Sequence, residues 1–333
     1  MKKTDLIDAL NKVKPGLSGN GMPGLSPSVV FNNDRICACG GLAWVACPFK
    51  SGITGAVEAG KFYALLCKLT EEKMQLSIKE GQLRIRQSHL KAGVPLDAEL
   101  KGIPPKMINP DIRDGEWEKL PANFNEAMRF CMLSASADAS TGALTNLQAQ
   151  GDSLRSCDNY RATVYKLDSP MKAELLIPLD AAKHLAGYSM DRYCRKEDAV
   201  YFTNGDGVVF ACGAVGGEYP DISGLFDVEG RTVRFPKELK GSLERSEIFS
   251  DESDTDGMVE LIISNGKMEC RSGCEAGWIT EDHGMEYAGE DIKIRINPGY
   301  LYQILDRMDQ FTLSENRILF RCGEFQHVIA LVA

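Results

Sequence analysis

Apolar residues recur at helical spacing at six places along the chain. Phe62, Leu65, Leu66 and Leu69 form the clearest stripe, because positions i, i+3, i+4 and i+7 share one face of a helix. Shorter stripes of the same kind predict five further amphipathic helices. They lie at residues 6–13, 124–131, 178–190, 239–243 and 301–308.

A second pattern, the alternation of apolar and polar residues, follows each region of helical stripes and predicts antiparallel strands. Most of these strands come in pairs separated by a short turn that contains glycine, which is typical of β-hairpins. The turns are Glu80–Gln82, Asn204–Gly207 and Asn265–Gly266. The predicted strands occupy residues 74–78, 83–85, 200–202, 208–212, 259–263, 268–270, 311–313, 318–320 and 328–332.

The order of helices and strands repeats three times, which predicts three copies of one α+β unit. Each copy would pack two helices on an antiparallel sheet. Segments rich in proline and glycine, residues 103–105 and 219–221, occupy similar places in the first two copies. The predicted domains are residues 1–115, 116–230 and 231–333.

Composition narrows the class of protein. The chain is 44% hydrophobic and 26% charged, as in globular proteins. No apolar stretch could span a bilayer and no signal-peptide core follows Met1, so we expect a cytoplasmic protein without a membrane partner. The 11 cysteines are predicted to be mostly buried free thiols. The net charge of −9 argues against a uniformly nucleic-acid-binding surface, but a ring can be acidic outside and basic along its hole.

One segment suggests an alternative, a nucleotide-binding enzyme. Gly55 to Lys61 follow the spacing G-x-x-x-x-G-K of a phosphate-binding loop, but Phe62 stands where that loop needs Ser or Thr for magnesium. A further alternative is an interaction protein that is built from the repeated α+β units and does not encircle DNA. Three other segments are incomplete as cofactor or metal motifs. They are the glycines at 19, 21 and 24 for a dinucleotide, the acidic run 251–256 for calcium, and Cys37-x-Cys39 for zinc. No cofactor, metal or catalytic residue is predicted.

Three strings, in this order and spacing, resemble the bacterial DNA polymerase III beta subunit, the sliding clamp. LRSCDNYRATVYKL at 154–167 is similar to the strand and turn that end in that family's Thr-Asp-Gly-His-Arg motif, although Cys157–Arg161 keeps only its Asp and Arg. GGEYPDISGLF at 216–226 is similar to the linker into the third domain. The last third, from NGKMECRSG at 265–273 to EFQHVIALVA at 324–333, resembles the third domain, without the family's Met-Pro-Met ending.

The resemblance implies a non-enzymatic processivity factor. Two chains would close head to tail into a ring of six domains, a homodimer with the sheets outside and the helices lining the hole. The ring would encircle double-stranded DNA without reading its sequence. It would also tether the DNA polymerase, the clamp loader and other DNA-processing partners through short peptide motifs.

The resemblance also implies two sets of site residues. Cations on the six helices would face the DNA, and a pocket between the second and third domains would bind partner peptides. The DNA-facing candidates are Lys3, Lys12, Lys61, Lys68, Arg129, Lys183, Arg192, Lys237, Lys240 and Arg307. The pocket candidates are Leu144, expected on a strand, Tyr160, Arg161, Val328, Ile329, Ala330 and Leu331.

Overall fold

The structure, a computed structural model, describes residues 1–17, 27–39, 43–100, 112, 116–196, 199–213, 217–250 and 257–331. These residues contain six α-helices, one at each predicted stripe. Their bounds are α1 (Lys3–Val13), α2 (Ala59–Lys68), α3 (Phe124–Cys131), α4 (Leu179–Leu185), α5 (Leu239–Glu247) and α6 (Pro298–Leu305). No helix in these ranges is both long and apolar enough to cross a membrane.

The described residues also contain 23 strands, and every predicted hairpin is confirmed. The strands are β1 (Ser28–Asn32), β2 (Arg35–Cys39), β3 (Ala43–Pro48), β4 (Thr54–Glu58), β5 (Gln75–Lys79), β6 (Gln82–Arg86), β7 (Lys91–Pro95), β8 (Glu118–Lys119), β9 (Asn146–Gln150), β10 (Ser153–Cys157), β11 (Arg161–Lys166), β12 (Leu175–Pro178), β13 (Arg192–Arg195), β14 (Val200–Thr203), β15 (Val209–Cys212), β16 (Arg231–Arg234), β17 (Val259–Ser264), β18 (Lys267–Cys274), β19 (Gly277–Gly284), β20 (Ile292–Ile296), β21 (Gln310–Leu313), β22 (Arg317–Cys322) and β23 (Phe325–Ala330).

The chain divides into two compact units. The first comprises Met1–Arg129, Thr145–Asp152 and Asp168–Gly217, and the second comprises Phe130–Leu144, Ser153–Leu167 and Glu218–Ala333. Each unit therefore combines segments from more than one of the three predicted domains.

The first unit is built on an antiparallel sheet of eight strands in the order β4-β1-β2-β3-β15-β14-β13-β8. The pairing of β3 with β15, which sets Ala43 opposite Cys212, joins strands of the first two predicted domains. Helix α1 packs on β2 and β3 and buries Leu6, Leu10 and Val13. A separate sheet, β5-β6-β7, turns at Glu80 and Gly81, both with positive φ, as a two-residue hairpin requires.

The second unit repeats this arrangement. Strands β10-β11-β23-β22-β21-β16 run in that order, and the pairing of β11 with β23 joins the second and third predicted domains. A four-stranded sheet, β19-β18-β17-β20, packs against α5, which in turn contacts α6. The expected fold class, α+β with helices on antiparallel sheets, is thus confirmed.

The main departure in the helices is the length of α4. The stripe predicts a helix over 178–190, but α4 ends at Leu185. Pro178 is the last residue of β12 and keeps extended backbone angles, so the helix begins one residue later. Beyond α4, the backbone N–H of Gly187 bonds back to the carbonyl of His184 in a turn.

Candidate functional site

The turn between β10 and β11 is organised by one carboxylate. Asp158 Oδ1 accepts the backbone N–H groups of Tyr160 and Arg161 at 2.8 and 2.6 Å. Its other oxygen accepts Nη2 and Nε of Arg161 at 2.8 and 3.0 Å. The two side chains of this ion pair are only 12% and 10% exposed. Asp158 and Arg161 are the two residues that match the sliding-clamp motif noted in the sequence.

The guanidinium of Arg161 also ties the turn to α6. Its Nη1 donates to Oε1 of Gln303 at 3.1 Å, and its Cζ lies 3.9 Å from the ring centroid of Tyr300. The rings of Tyr160 and Tyr300 are 6.2 Å apart. Arg161 is therefore a largely buried anchor between the turn and α6. Sequence reasoning missed Tyr300 and Gln303, because they lie far from Arg161 along the chain.

Strand β23 runs alongside this anchor. Ile329 lies opposite Arg161, and the backbone N–H of Ala330 donates to the carbonyl of Tyr160 at 2.8 Å. The side chains of Val328 and Ile329 are buried, whereas Ala330 is exposed and Leu331 is half-buried. Of the four predicted pocket residues in the terminal strand, only the last two reach the surface.

Leu144 differs from its prediction. It lies in the 3₁₀ segment Ala139–Thr145 that precedes β9, and not in a strand. Its carbonyl accepts the N–H of Ser136 at 2.9 Å, which closes a loop rather than a strand ladder. The glycine inside this segment, Gly142, has φ 59° and ψ −115°, which interrupts the helical turn.

Behind the anchor lies a buried polar cluster. Nδ1 of His327 is 2.8 Å from Oγ1 of Thr163 and 3.3 Å from Oγ of Ser134. Burial, with the positive charges of Arg161 and Arg307, lowers the pKa of His327 to about 3. The imidazole is therefore neutral at pH 7, and it stays buried without a counter-charge.

The DNA-facing candidates of the first unit occupy several settings. Lys3 lies at the start of α1 and donates to the carbonyl of Leu69 at 2.8 Å, and Lys12 lies in the last turn. Lys61 and Lys68 are exposed on α2, as predicted. Arg129 on α3 donates to the carbonyl of Ala186 at 3.0 Å.

Lys183 and Arg192 were both predicted on the fourth helix. Lys183 is on α4, where it pairs with Asp180 at 2.9 Å. The prediction for Arg192 is wrong, because α4 ends at Leu185 and Arg192 begins strand β13.

Two of the three DNA-facing candidates in the second unit do not lie on the helices predicted for them. Lys240 lies on α5, paired with Asp306 and 4.4 Å from the ring centroid of Tyr302. Lys237 is in the turn before α5, and Arg307 follows the end of α6, so neither is on a helix. The Arg307 guanidinium stacks over the ring of Phe130 at 4.2 Å.

The segment Gly55–Lys61 is not a phosphate-binding loop. It runs from β4 directly into α2, with no loop between them. The Glu58 side chain accepts the N–H groups of Gly60 and Lys61, both at 2.9 Å. A phosphate would have to displace this carboxylate from the helix N-terminus. The geometry therefore counts against the nucleotide-binding alternative.

No protein-family model and no curated protein matches the chain. Several solved structures, in contrast, match the chain over nearly its whole length. A DNA polymerase III beta chain of Streptococcus pneumoniae matches at TM-score 0.85 and 18% identity, covering 100% of this chain and 98% of that one. A sliding clamp of Bartonella birtlesii bound to griselimycin gives the same values. A putative beta subunit of Eubacterium rectale matches at 0.83 and 16%, covering 99% and 98%. The resemblance seen in the sequence is thus confirmed for the fold, over the whole chain.

The ion pair in the β10–β11 turn can be tested by replacing Asp158 with Asn. We expect Asp158→Asn to lower the free energy of unfolding by about 2–3 kcal/mol, because the Arg161 guanidinium would stay buried without its counter-charge. Urea denaturation measures this loss. The control is Asp191→Asn, which breaks the exposed 3.7 Å pair with Arg192 and should change stability by less than about 0.5 kcal/mol. Equal effects of the two variants would refute the anchoring role.

The buried histidine makes stability depend on pH. The unfolded chain binds a proton at His327 near pH 6.5, whereas the folded chain does so only near pH 3. Its contribution is therefore complete above pH 6.5 and is lost as the pH falls toward 3. Between pH 7 and 5 this residue should cost wild type about 2 kcal/mol, a loss that His327→Gln avoids. Urea denaturation at both pH values measures it. If the stability gap between the two proteins stays constant, this explanation is wrong.

Proposed function

We propose that the chain is a DNA sliding clamp: a non-enzymatic processivity factor that encircles duplex DNA without sequence specificity. The observation that carries the proposal is the likeness in fold to sliding clamps over 98–100% of both chains. A shared core would leave large parts of either chain unmatched. Here 98–100% of each chain is matched.

The proposed ring contains two chains joined head to tail, each contributing the predicted domains 1–115, 116–230 and 231–333. Retention on DNA is then topological, so the protein needs only weak, sequence-blind attraction to phosphates. A net charge of −9 is compatible with this mechanism, because affinity does not have to come from a strongly basic surface. We place the protein in the cytoplasm, where it serves a DNA polymerase and a clamp loader.

An exposed apolar patch supports a contact between two chains. Trp278 is 74% exposed on β19, an edge strand of its sheet, and Ile248, just after α5, is 72% exposed. Phe249 lies against Gly277, next to Trp278, because a Cβ on that glycine would be 2.9 Å from the Phe249 ring. A large apolar side chain exposed on an edge strand, with a second one just after α5 in the sequence, is typical of an interface. We propose that this third-domain edge meets a first-domain edge of the other chain.

Partner peptides are proposed to bind at the surface beside the Asp158–Arg161 turn. The exposed Ala330 and the half-buried Leu331 and Tyr160 provide a largely apolar surface there. The anchored Arg161 holds the turn rigid, which lowers the entropic cost of binding a short peptide. Because Asn159 and Tyr160 replace the family's Gly-His pair, the peptide motif accepted by this chain is expected to differ.

The patch predicts which residues hold the dimer together. Wild type should run at about 73 kDa, twice 36.6 kDa, in size-exclusion chromatography with light scattering. Ile248→Glu combined with Trp278→Glu should give a 36.6 kDa monomer, because two carboxylates would be buried in an apolar contact. Leu225→Glu, at an exposed leucine away from this edge strand, is the control and should stay dimeric. A dimeric double variant would rule out the patch as the interface.

Encirclement itself predicts a dependence on DNA topology. The protein is allowed to thread onto the free end of a bead-tethered linear duplex, and that end is then capped with streptavidin. Capped DNA should retain the protein through a high-salt wash, which dissolves phosphate contacts but cannot open a topological link. Cutting the duplex with a restriction enzyme should release it. Equal loss from capped and uncapped DNA would contradict the proposed function.

A further inference from the structure

The six described helices differ in their balance of basic and acidic side chains. Helix α2 carries two lysines and no acidic residue, whereas α1, α3 and α4 each carry equal numbers of lysine or arginine and of acidic residues. Helix α5 also has two basic and two acidic residues, and α6 has no charged residue. Among the described helices, α2 alone is therefore net positive by its side chains.

The lysines of α2 are also free of acidic partners within the described part of the chain. Lys61 and Lys68 are exposed, and no ion pair or hydrogen bond engages either ammonium group. They are seven residues apart, so they lie on one face about 10 Å from each other. The carboxylate nearest in sequence, Glu58, is already bound to the N–H groups at the start of the helix.

The end of α1 contacts another side of α2, because Tyr63 lies about 200° around the helix from Lys61. Asn11 accepts a hydrogen bond from the Tyr63 hydroxyl at 2.8 Å, which joins α1 to α2. Lys14, just after α1, places its Nζ 5.8 Å from the centroid of the Tyr63 ring. We call the side of α2 that bears Lys61 and Lys68 the α2 face.

The pair α5–α6 shows the opposite arrangement. Lys240 is held by Asp306 and by the face of Tyr302, and the Tyr302 hydroxyl donates to Glu244 at 2.8 Å. Arg245 makes two 2.6 Å hydrogen bonds to Glu281. These cations are already paired with carboxylates of the same chain, so a phosphate would have to compete with those carboxylates.

We infer that the α2 face supplies most of the attraction to DNA phosphates, and that the α5–α6 pair supplies little. This inference rests on the proposed function, because it assigns the weak phosphate contact of a clamp to one of its helix pairs. Free ammonium groups gain a counter-ion on contact with phosphate, whereas paired ones must first give one up.

The test compares two charge reversals of equal size. Binding of wild type, Lys61→Glu/Lys68→Glu and Lys237→Glu/Lys240→Glu to a fluorescent duplex of about 30 base pairs is measured by anisotropy between about 50 and 200 mM salt. The α2 variant should bind at least about 10-fold more weakly at low salt, and the slope of log K against log salt should fall by about 2. The α5 variant should remain close to wild type.

Two results would overturn the inference: an unchanged slope in the α2 variant, or an equal loss in the α5 variant. Lys61→Gln/Lys68→Gln should give a smaller loss in the same direction, which guards against misfolding of the charge reversal. Retention on capped DNA separates this inference from the proposed function. If wild type is retained but the α2 variant keeps the wild-type slope, the function stands and the assignment to α2 fails. If wild type is not retained, the function fails whatever the slopes show.

Discussion

The fold depends on the pairing of sheet edges between successive parts of the chain. An open strand edge exposes unpaired N–H and C=O groups, and proteins pair, cover or charge such edges. In the first unit, β3 uses its free edge to pair with β15, and in the second, β11 pairs with β23 in the same way. Each pairing merges strands from two predicted domains into one sheet. The long edge strand β19, with Trp278 exposed on it, is where the proposed ring would pair a further edge, this time with another chain.

The same pairing positions the candidate partner site. Because β11 and β23 are neighbours, the turn at Asp158 lies beside the end of β23 at Ala330. The buried Asp158–Arg161 pair then fixes that turn against α6. Burying an ion pair seldom adds stability over an apolar contact, but it does fix geometry when both charges are fully hydrogen-bonded. Here the gain is a rigid turn next to an exposed apolar strand end.

Helices and hairpins could be predicted from the sequence because their signals are local. The stripe at Phe62 and the turn at Asn265–Gly266 depend only on spacing and on the conformational freedom of glycine. Arg192 and Arg307 were misplaced because helix ends depend on hydrogen bonds and turns that a stripe does not reveal. The stripes also gave no sign of β1–β4, or of β19, whose Trp278 and Asp282 both face solvent. The contacts of Arg161 with Tyr300 and Gln303 join residues far apart in sequence, so no local pattern could reveal them.

The proposed function requires a closed ring around a hole wide enough for duplex DNA. Small-angle X-ray scattering in line with size-exclusion chromatography tests it most directly, because a hollow particle and a filled one of equal mass have different pair-distance distributions. The account predicts a particle of about 73 kDa, twice 36.6 kDa, with the distribution of a hollow ring. A compact monomer, or a dimer without a central hole, would contradict encirclement and leave only the fold in common with the clamps.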